Sequence, residues 1–297
     1  MKKVLLVVNP SAGGEQAENF KQQVEAKLAE HFDEVLVRET EGAGDACRFA
    51  REAAENEFDS VFVMGGDGTV NEGISGLAEA DHRPKFGFFP LGTVNDLARA
   101  LKMPLDPEEA IRQLDLSNTG SLDIAKVNDD YFMNVVAIGS IPESINSVDP
   151  EEKTKFGKLA YFISGIKQLK DGQTYRFKLT IDGQEMECET STILIGLTNS
   201  IGGFEQLLPQ AKVDDGKLHL IYLKDSNFLE TLKALPSLLT GVEKSDQSLF
   251  YQAFEKVEIE LLDERAELYI NSDGDQGDPL PVAISILPSH LTVYRYD

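Results

Sequence analysis

The sequence predicts an N-terminal three-layer α/β/α domain with a parallel sheet, followed by a C-terminal antiparallel β-sandwich domain with inserted helices. Up to residue 118, apolar runs typical of buried strands alternate with segments of helical periodicity, which is the pattern of a parallel sheet covered by helices. From residue 119 to residue 297, strand-like runs follow one another with turn residues such as Asp182-Gly183 between them, as in a sandwich. We place the boundary between 118 and 119 and expect the last residues to return to the first domain.

The first domain has four predicted strands and three main helices. The strands cover residues 4–8, 35–38, 60–64 and 86–90, and the helices cover 15–31, a segment starting at an Asp45 cap, and 70–80. Ligands of parallel α/β sheets bind beyond the carboxyl ends of the strands. The turns at 9–14, 65–69 and 91–96 all follow strands, so we expect them to converge on one site.

The second domain reads mainly as strands. They cover residues 120–124, 131–139, 175–181, 187–197, 217–223, 256–262, 268–271, 282–286 and 291–296, with helices at 152–169 and 228–239. We expect the two domains to pack together with a cleft between them.

Charge and composition exclude several functions. The chain has 51 acidic and 28 basic residues, a formal net charge of −23, which disfavours nucleic acid and broad adhesion to an anionic bilayer. No apolar run reaches the length of about 20 residues that a membrane span needs. The two cysteines have neither metal-ligand spacing nor a disulfide framework. We therefore expect a cytoplasmic protein.

The glycine-rich stretch from Gly65 to Glu72 joins the third strand to a helix. Glycines allow a ligand to approach the backbone closely, and the helix start offers free N–H groups to phosphate. Asp67 within this turn would repel phosphate, and a bridging Mg²⁺ would resolve that conflict. The chain lacks both the Gly-x-x-x-x-Gly-Lys-Ser/Thr motif and a Gly-x-Gly-x-x-Gly turn after its first strand, which excludes P-loop NTPases and the usual dinucleotide fingerprint.

The string Gly-Gly-Asp-Gly-Thr at 65–69 resembles the superfamily of diacylglycerol kinases, sphingosine kinases, NAD kinases and phosphofructokinases. With Val70-Asn71-Glu72 added, it is similar to the diacylglycerol and lipid kinase branch, and motifs at five places along the chain follow that branch's order. The resemblance implies a Mg²⁺-requiring enzyme that transfers the γ-phosphate of ATP to the hydroxyl of diacylglycerol or a related lipid. The product would be phosphatidic acid or a lipid phosphate.

The resemblance also implies which residues contact ATP. Residues 9–13 resemble the family's Asn-Pro-x-Ser-Gly, although Ala12 replaces its serine and removes one hydroxyl. Residues 92–98 resemble Gly-Thr-x-Asn-Asp-Leu-Ala, although Asn95 or Asp96 could instead simply cap a helix. The implied nucleotide contacts are Asn9, Pro10, Ser11, Ala12, Gly13, Thr40, Gly66, Asp67, Gly68, Thr69, Val70, Asn71, Glu72 and Thr93.

Residues 202–218 resemble a family stretch that ends in Asp-Asp-Gly-x-Leu. The resemblance implies a structural Mg²⁺ held by Asp215 and by backbone carbonyls near Lys212 and Lys217. A network of carboxylates, water and Mg²⁺ would connect it to Asp67 and Asp96.

Residues 271–279 resemble the family's late Asp-Gly-Glu motif, with Asp275 in place of the glutamate. Asp275 is one methylene shorter, and a general base must come within about 3 Å of the proton it removes. Asp273 keeps the first acid, so the assignment of the base between Asp273 and Asp275 stays open. The resemblance also implies Asp123 near the phosphate end of the cleft, with a surface turn residue as the alternative.

Two other functions are consistent with these residues. A kinase of a soluble acceptor, as in NAD kinases, would share Gly-Gly-Asp-Gly, but the Asn-Pro start and the late Asp-Gly-Asp favour the lipid branch. A nucleotide- or lipid-binding regulator without catalysis is supported only by Ala12 and Asp275.

The expected partners are ATP and a lipid at a membrane surface, and the resemblance implies by analogy a homodimer. The lipid would bring this cytoplasmic protein to the inner face of the membrane. One local basic group is either a solvated helix face or a contact for anionic phospholipid or a second subunit. It consists of Lys153, Lys155, Lys158, Lys167 and Lys170.

Overall fold

The computed structural model describes residues 1–13, 17–139, 174–203, 207–224, 241–245, 249–263 and 266–296. The predicted helices at 152–169 and 228–239, and the basic group of five lysines, lie outside the described residues.

The first domain contains a parallel sheet in the order β2-β1-β3-β4. Its strands are β1 (Lys3–Val8), β2 (Glu34–Glu39), β3 (Ser60–Gly65) and β4 (Lys85–Pro90), and its helices are α1 (Ala17–Ala29), α2 (Asp45–Glu55), α3 (Asp67–Ala78), α4 (Asp96–Ala100) and α5 (Pro107–Gln113). Successive side chains of a strand point to opposite faces. Leu5 and Val7 accordingly pack with α2 and α3, and Leu6 and Val8 pack with α1 and α5. The three-layer prediction is confirmed.

The predicted cap of α2 is wrong. The cap position is Gly44, in the left-handed region at φ 85°, and Asp45 is the first helical residue. The Asp45 carboxylate turns back instead and accepts the amides of Glu41 and Gly42 at 2.8 and 3.1 Å. Where an aspartate follows a glycine, the residue types alone therefore do not show which of the two occupies the cap position.

The second domain is a sandwich of antiparallel strands. Its strands are β5 (Thr119–Val127), β6 (Asp130–Phe132), β7 (Val135–Gly139), β8 (Tyr175–Ile181), β9 (Gln184–Thr190), β10 (Thr192–Gly196), β11 (Leu218–Leu223), β12 (Leu249–Phe254), β13 (Lys256–Leu261), β14 (Tyr269–Ser272), β15 (Asp275–Pro279) and β16 (Val282–Tyr294). One sheet has the order β12-β11-β10-β7-β14-β15. The other joins β16, β13, β8 and β9, with β5 and β6, to the parallel sheet of the first domain.

Three of the predicted strand assignments are wrong. The segment at 131–139 is two strands in different sheets, β6 and β7. The segments at 282–286 and 291–296 belong to one strand, β16, which pairs antiparallel with β13 and then parallel with β4 through Val293 and Phe86. The segment at 187–197 is two strands in different sheets, β9 and β10, which meet at the buried Ser191. The strands β12 and β15 were not predicted. Apolar alternation continues through such a junction, so it does not mark where a chain changes sheets.

Within the described ranges, no helix has both the length and the apolar character to cross a membrane.

Candidate functional site

The three glycine-containing turns meet at one cavity of about 390 Å³. Because β1, β3 and β4 pair in parallel, their carboxyl ends lie at the same edge of the sheet. A Cβ at Gly92 would lie 2.9 Å from the Cα of Gly66, so the turns approach more closely than larger residues allow. The cavity is lined by Asn9, Ala12, Gly13, Gly66, Gly68, Thr69, Leu91, Gly92 and Thr93.

Asn9 joins the first turn to the start of α3. Its side-chain Nδ2 donates to Thr69 Oγ1 at 2.9 Å, while its Oδ1 accepts the Ser11 amide at 3.1 Å. A hydroxyl that accepts from an amide keeps its own proton for another partner. Thr69 can therefore donate a hydrogen bond to a group in the cavity that it lines.

Asp67 joins the turn after β3 to the turn after β4. Its two carboxylate oxygens accept the backbone amides of Asn95 and Asp96, each at 2.8 Å. Burial raises the pKa of Asp67, a shift that the Asn95 amide opposes. The carboxylate thus fixes the position of the Gly92–Asp96 turn relative to the cavity.

Asp96 joins the first domain to the loop that follows β10. Asp96 is only 7% exposed. Its carboxylate accepts the Ser200 hydroxyl at 2.6 Å and the amides of Gly202 and Gly203 at 2.8 Å each. A carboxylate has about four lone-pair directions. Three are occupied here by protein, which leaves one for a water molecule or a cation.

Seven residues of the predicted nucleotide set do not line the cavity, and one of them is Asp67, whose carboxylate binds the Asn95 and Asp96 amides. Val70 packs in the core, and its amide is bonded to the Gly66 carbonyl. Thr40 follows β2, and its amide donates to Val8. Asn71 has a solvent-shielded Oδ1 without a hydrogen-bond partner among the described residues, and Glu72 is engaged elsewhere, as described next. Pro10 and Ser11 belong to the first turn but are also absent from the lining.

Glu72 binds the start of the neighbouring helix α2. Its two carboxylate oxygens accept the amides of Gly44 and Ala46 at 2.9 and 3.2 Å. These amides have no partner inside their own helix, and a carboxylate at a helix N-terminus also interacts favourably with the helix dipole. Glu72 therefore ties α3 to α2, a structural role that its motif did not indicate.

Asp123 lies on β5 and is 1% exposed, so it is not the surface turn residue that was the alternative. Its carboxylate accepts the amides of Gly216 and Ser289 at 2.7 and 2.6 Å, and its own amide donates to Val213. Burial raises the pKa of Asp123, and the Ser289 amide opposes that shift. Asp123 thereby fixes the turn that contains Asp215.

Asp215 accepts three hydrogen bonds. Its Oδ1 accepts the Lys217 amide at 2.9 Å, and its Oδ2 accepts the Lys212 amide at 2.9 Å and lies 3.2 Å from His219 Nε2. Burial acts to raise the pKa of Asp215, but the hydrogen bonds and the His219 ring together hold that pKa below its ordinary value. The carboxylate is therefore ionised at neutral pH and partly open to solvent, with a relative exposure of 20%.

Asp273 lies in the tight turn between β14 and β15, Asp275 follows that turn, and the two differ in their surroundings. The Asp273 carboxylate accepts the amides of Met133, Asn134 and Val135 at 2.7–2.9 Å. Burial raises the pKa of Asp273 to about 6, while the three amides act to lower it. Asp275, the first residue of β15, is exposed.

Comparison with known proteins identifies the family. Residues 3–127 match the model of the diacylglycerol kinase catalytic domain, and residues 135–295 match that of the YegS C-terminal NAD kinase beta sandwich-like domain. The chain is 35% identical over 296 residues to a diacylglycerol kinase of Bacillus subtilis strain 168, with 99% of this chain and 96% of the relative covered. The chain belongs to the diacylglycerol kinase family.

Other family members are similar over the same length. A Streptococcus pneumoniae serotype 4 protein named "Putative lipid kinase" is 37% identical over 294 residues, covering 99% of this chain and 98% of its own length. The crystal structure of a "putative diacylglycerol kinase" from Bacillus anthracis strain Sterne has a TM-score of 0.85 at 32% identity and covers 99% of this chain and 97% of that chain. The fold of this chain, an α/β domain followed by a β-sandwich, is therefore shared with the Bacillus anthracis structure along nearly its whole length.

The residues implied for Mg²⁺ suit an oxygen-bound cation. Among the described residues, no three His, Cys, Asp or Glu side chains come together as a cation site. The set that the resemblance implies needs only one such side chain, because its other members are backbone carbonyls near Lys212 and Lys217. An ionised, partly exposed carboxylate with one free lone pair fits the oxygen ligands that Mg²⁺ requires.

Sequence patterns missed three residues that complete the site in this family member. Ser200 donates to Asp96, and His219 lies against Asp215. Arg295 contacts the Ser121 carbonyl at 2.6 Å and the Asp214 carboxylate at 3.2 Å. None belongs to a family motif quoted above, and each acts through a contact between segments distant in sequence. No local pattern would have revealed these contacts.

Proposed function

We propose that this protein is a lipid kinase that transfers the γ-phosphate of ATP to the hydroxyl of diacylglycerol or a related lipid, giving phosphatidic acid or a lipid phosphate. The observation that carries the proposal is the cavity formed by three backbone turns at the carboxyl edge of the sheet. Its lining is mostly glycine and hydroxyl residues, which suits phosphate bound by backbone amides and hydroxyls. Diacylglycerol kinases among its relatives support the lipid acceptor.

Phosphoryl transfer depends mainly on positioning and on neutralising charge. Asn9 and Asp67 hold the turns of the cavity in place, and Thr69 donates to a phosphate oxygen. Mg²⁺, when bound, would supply the positive charge that a strongly acidic chain lacks. Asp215 and the carbonyls near Lys212 and Lys217 would hold one such ion.

Asp275 is the better candidate for the general base. Asp273 is occupied by three amide donors, so its carboxylate positions the β6–β7 turn. Asp275 is exposed at the start of β15 and is free to approach a substrate hydroxyl. On this proposal, the Asp275 carboxylate takes the proton as the hydroxyl oxygen attacks the γ-phosphorus, the bond to the bridging oxygen breaks and ADP leaves.

The proposal is tested by transfer of labelled γ-phosphate from ATP to diacylglycerol in mixed micelles with Mg²⁺. We expect Asp275→Ala to lose at least about a hundredfold in kcat, the usual contribution of a general base. Asp278→Ala is the matched control, because Asp278 is an exposed acid on the same strand. Full activity of Asp275→Ala with loss in Asp273→Asn would transfer the base role to Asp273, and no transfer by the wild type would refute the kinase proposal.

A soluble acceptor is the second candidate, because the family model matched by the second domain is described as NAD kinase beta sandwich-like. The two candidates differ in their dependence on micelles. A lipid acceptor requires detergent micelles or a membrane surface, so a lipid kinase would work at the inner face of the membrane. Transfer to NAD would proceed equally well without detergent.

A further inference from the structure

A buried histidine stands between a tyrosine and the Asp215 turn. His219 lies on β11 and is 3% exposed. Its Nδ1 lies 2.8 Å from the Tyr251 hydroxyl, and its Nε2 lies 3.2 Å from Asp215 Oδ2. In the register of β11 and β12, His219 pairs with Ala253 and Ile221 pairs with Tyr251. The histidine and the tyrosine are therefore diagonal neighbours on one face of the sheet.

One neutral tautomer satisfies all three groups. An ionised carboxylate only accepts hydrogen bonds, so Nε2 must carry the proton that faces Asp215. Nδ1 is then an acceptor, and the Tyr251 hydroxyl donates to it. The Tyr251 hydroxyl therefore donates to His219, and His219 in turn donates to Asp215.

The opposite side of the same turn is held by the rest of the protein. Gly216 donates its amide to the buried Asp123 at 2.7 Å, and Asp214 binds Arg295 at 3.2 Å. The turn is thus fixed from β5 and β16 on one side and from His219 on the other. Within it, the Asp215 carboxylate is left partly open to solvent.

The hydrogen bonds leave Asp215 with one available direction. Its Oδ2 accepts both the Lys212 amide and His219, whereas its Oδ1 accepts, from the part of the chain that the structure describes, only the Lys217 amide. With about two lone pairs per oxygen, the free one is on Oδ1. We propose that Tyr251 and His219 are positioning residues that orient the Asp215 carboxylate and thereby set the affinity of this turn for a divalent cation. The inference rests on the magnesium role in the proposed function.

The test measures cation binding without ATP or lipid. Free Mn²⁺, used as a paramagnetic substitute for Mg²⁺, is titrated by its electron paramagnetic resonance signal against the full chain. We expect Tyr251→Phe and His219→Leu to raise the Mn²⁺ Kd about tenfold, the scale on which groups that orient metal ligands act. His219→Gln keeps an N–H donor and should recover part of the loss.

Two controls make the measurement specific. Asp215→Asn should abolish binding at this site, and Tyr222→Phe should leave it unchanged. Tyr222 lies on β11 and interacts with Cys188 instead of the Asp215 turn. Tyr251→Phe removes a single hydroxyl, so it carries the test even if His219→Leu does not fold. Wild-type affinity in both Tyr251→Phe and His219→Leu would overturn the proposal, and so would Mn²⁺ binding that is absent or indifferent to Asp215→Asn.

The result is independent of the reaction. A protein that binds Mn²⁺ as expected but transfers no phosphate would refute the kinase proposal and support the positioning role. A protein that transfers phosphate, but whose Tyr251→Phe and His219→Leu variants both keep the wild-type Mn²⁺ affinity, would support the kinase proposal and refute the positioning role.

Discussion

The Asp96 carboxylate is the contact whose removal should most clearly loosen the link between the two domains. Its Oδ1 accepts the Ser200 hydroxyl and the Gly203 amide, and its Oδ2 accepts the Gly202 amide. In Asp96→Asn, an amide oxygen can replace Oδ1, but the NH₂ group then faces the Gly202 N–H. One hydrogen bond to a charged acceptor is lost, at about 1.5–3 kcal/mol, and the two bonds that stay become neutral and weaker.

We therefore expect Asp96→Asn to destabilise the 200–203 segment by about 2–4 kcal/mol. Amide hydrogen exchange at Gly202 and Gly203 is the direct assay, because protection there should fall at least about 30-fold at 1.4 kcal/mol per tenfold change. Asp106→Asn is the matched control, since Asp106 caps α5 through the Glu109 amide and Asn caps equally well. Equal exchange in wild type and Asp96→Asn would refute this account of the link.

Three further predictions concern other contacts. Gly76→Ala should lower the free energy of unfolding by about 1–3 kcal/mol, because its Cβ would lie 2.2 Å from the Cys47 carbonyl oxygen. Gly68→Ala, with open space around its Cβ, is the control and should unfold in urea like the wild type. Glu72→Gln loses one of the two hydrogen bonds to the start of α2 and should lower the free energy of unfolding by about 1 kcal/mol, with faster hydrogen exchange of the Gly44 amide. Unchanged exchange of that amide would contradict the role of Glu72 at the start of α2. Because burial raises the pKa of Asp273 from 3.8 to about 6, its contribution to stability is fully present below about pH 4 and is lost as pH rises through about 6. The stability of Asp273→Asn relative to wild type should therefore rise from pH 4 to pH 6.5, and a flat difference would count against the shift.

Local patterns predicted the four strands and the first three helices of the first domain because each of these elements carries its own signal, whereas the short helix α5 was not predicted. The strands β1, β3 and β4 are continuous apolar runs buried on both faces, and a glycine turn follows each at the carboxyl edge. The convergence of these turns then follows from parallel topology alone. The cavity could for that reason be placed from sequence, together with Asn9, Thr69 and Thr93.

Local patterns failed where one segment is fixed by another that is far away in sequence. The sheet change at Ser191 and the single strand β16 depend on pairing partners, which periodicity does not encode. Glu72 looked like a nucleotide contact because of its motif, yet the amides that it binds lie 26 and 28 residues away. The same holds for Ser200 and His219: their partners Asp96 and Asp215 were predicted as site residues, but no local pattern connects them to Ser200 and His219.

The central claim is that the acceptor of the γ-phosphate is a lipid hydroxyl. The most direct measurement is mass-spectrometric identification of the product when the protein is given ATP, Mg²⁺, diacylglycerol in mixed micelles and NAD together. We expect phosphatidic acid and no NADP, with product formation lost when the micelles are omitted. Formation of NADP, or ATP binding with no phosphorylated acceptor of either kind, would contradict the claim.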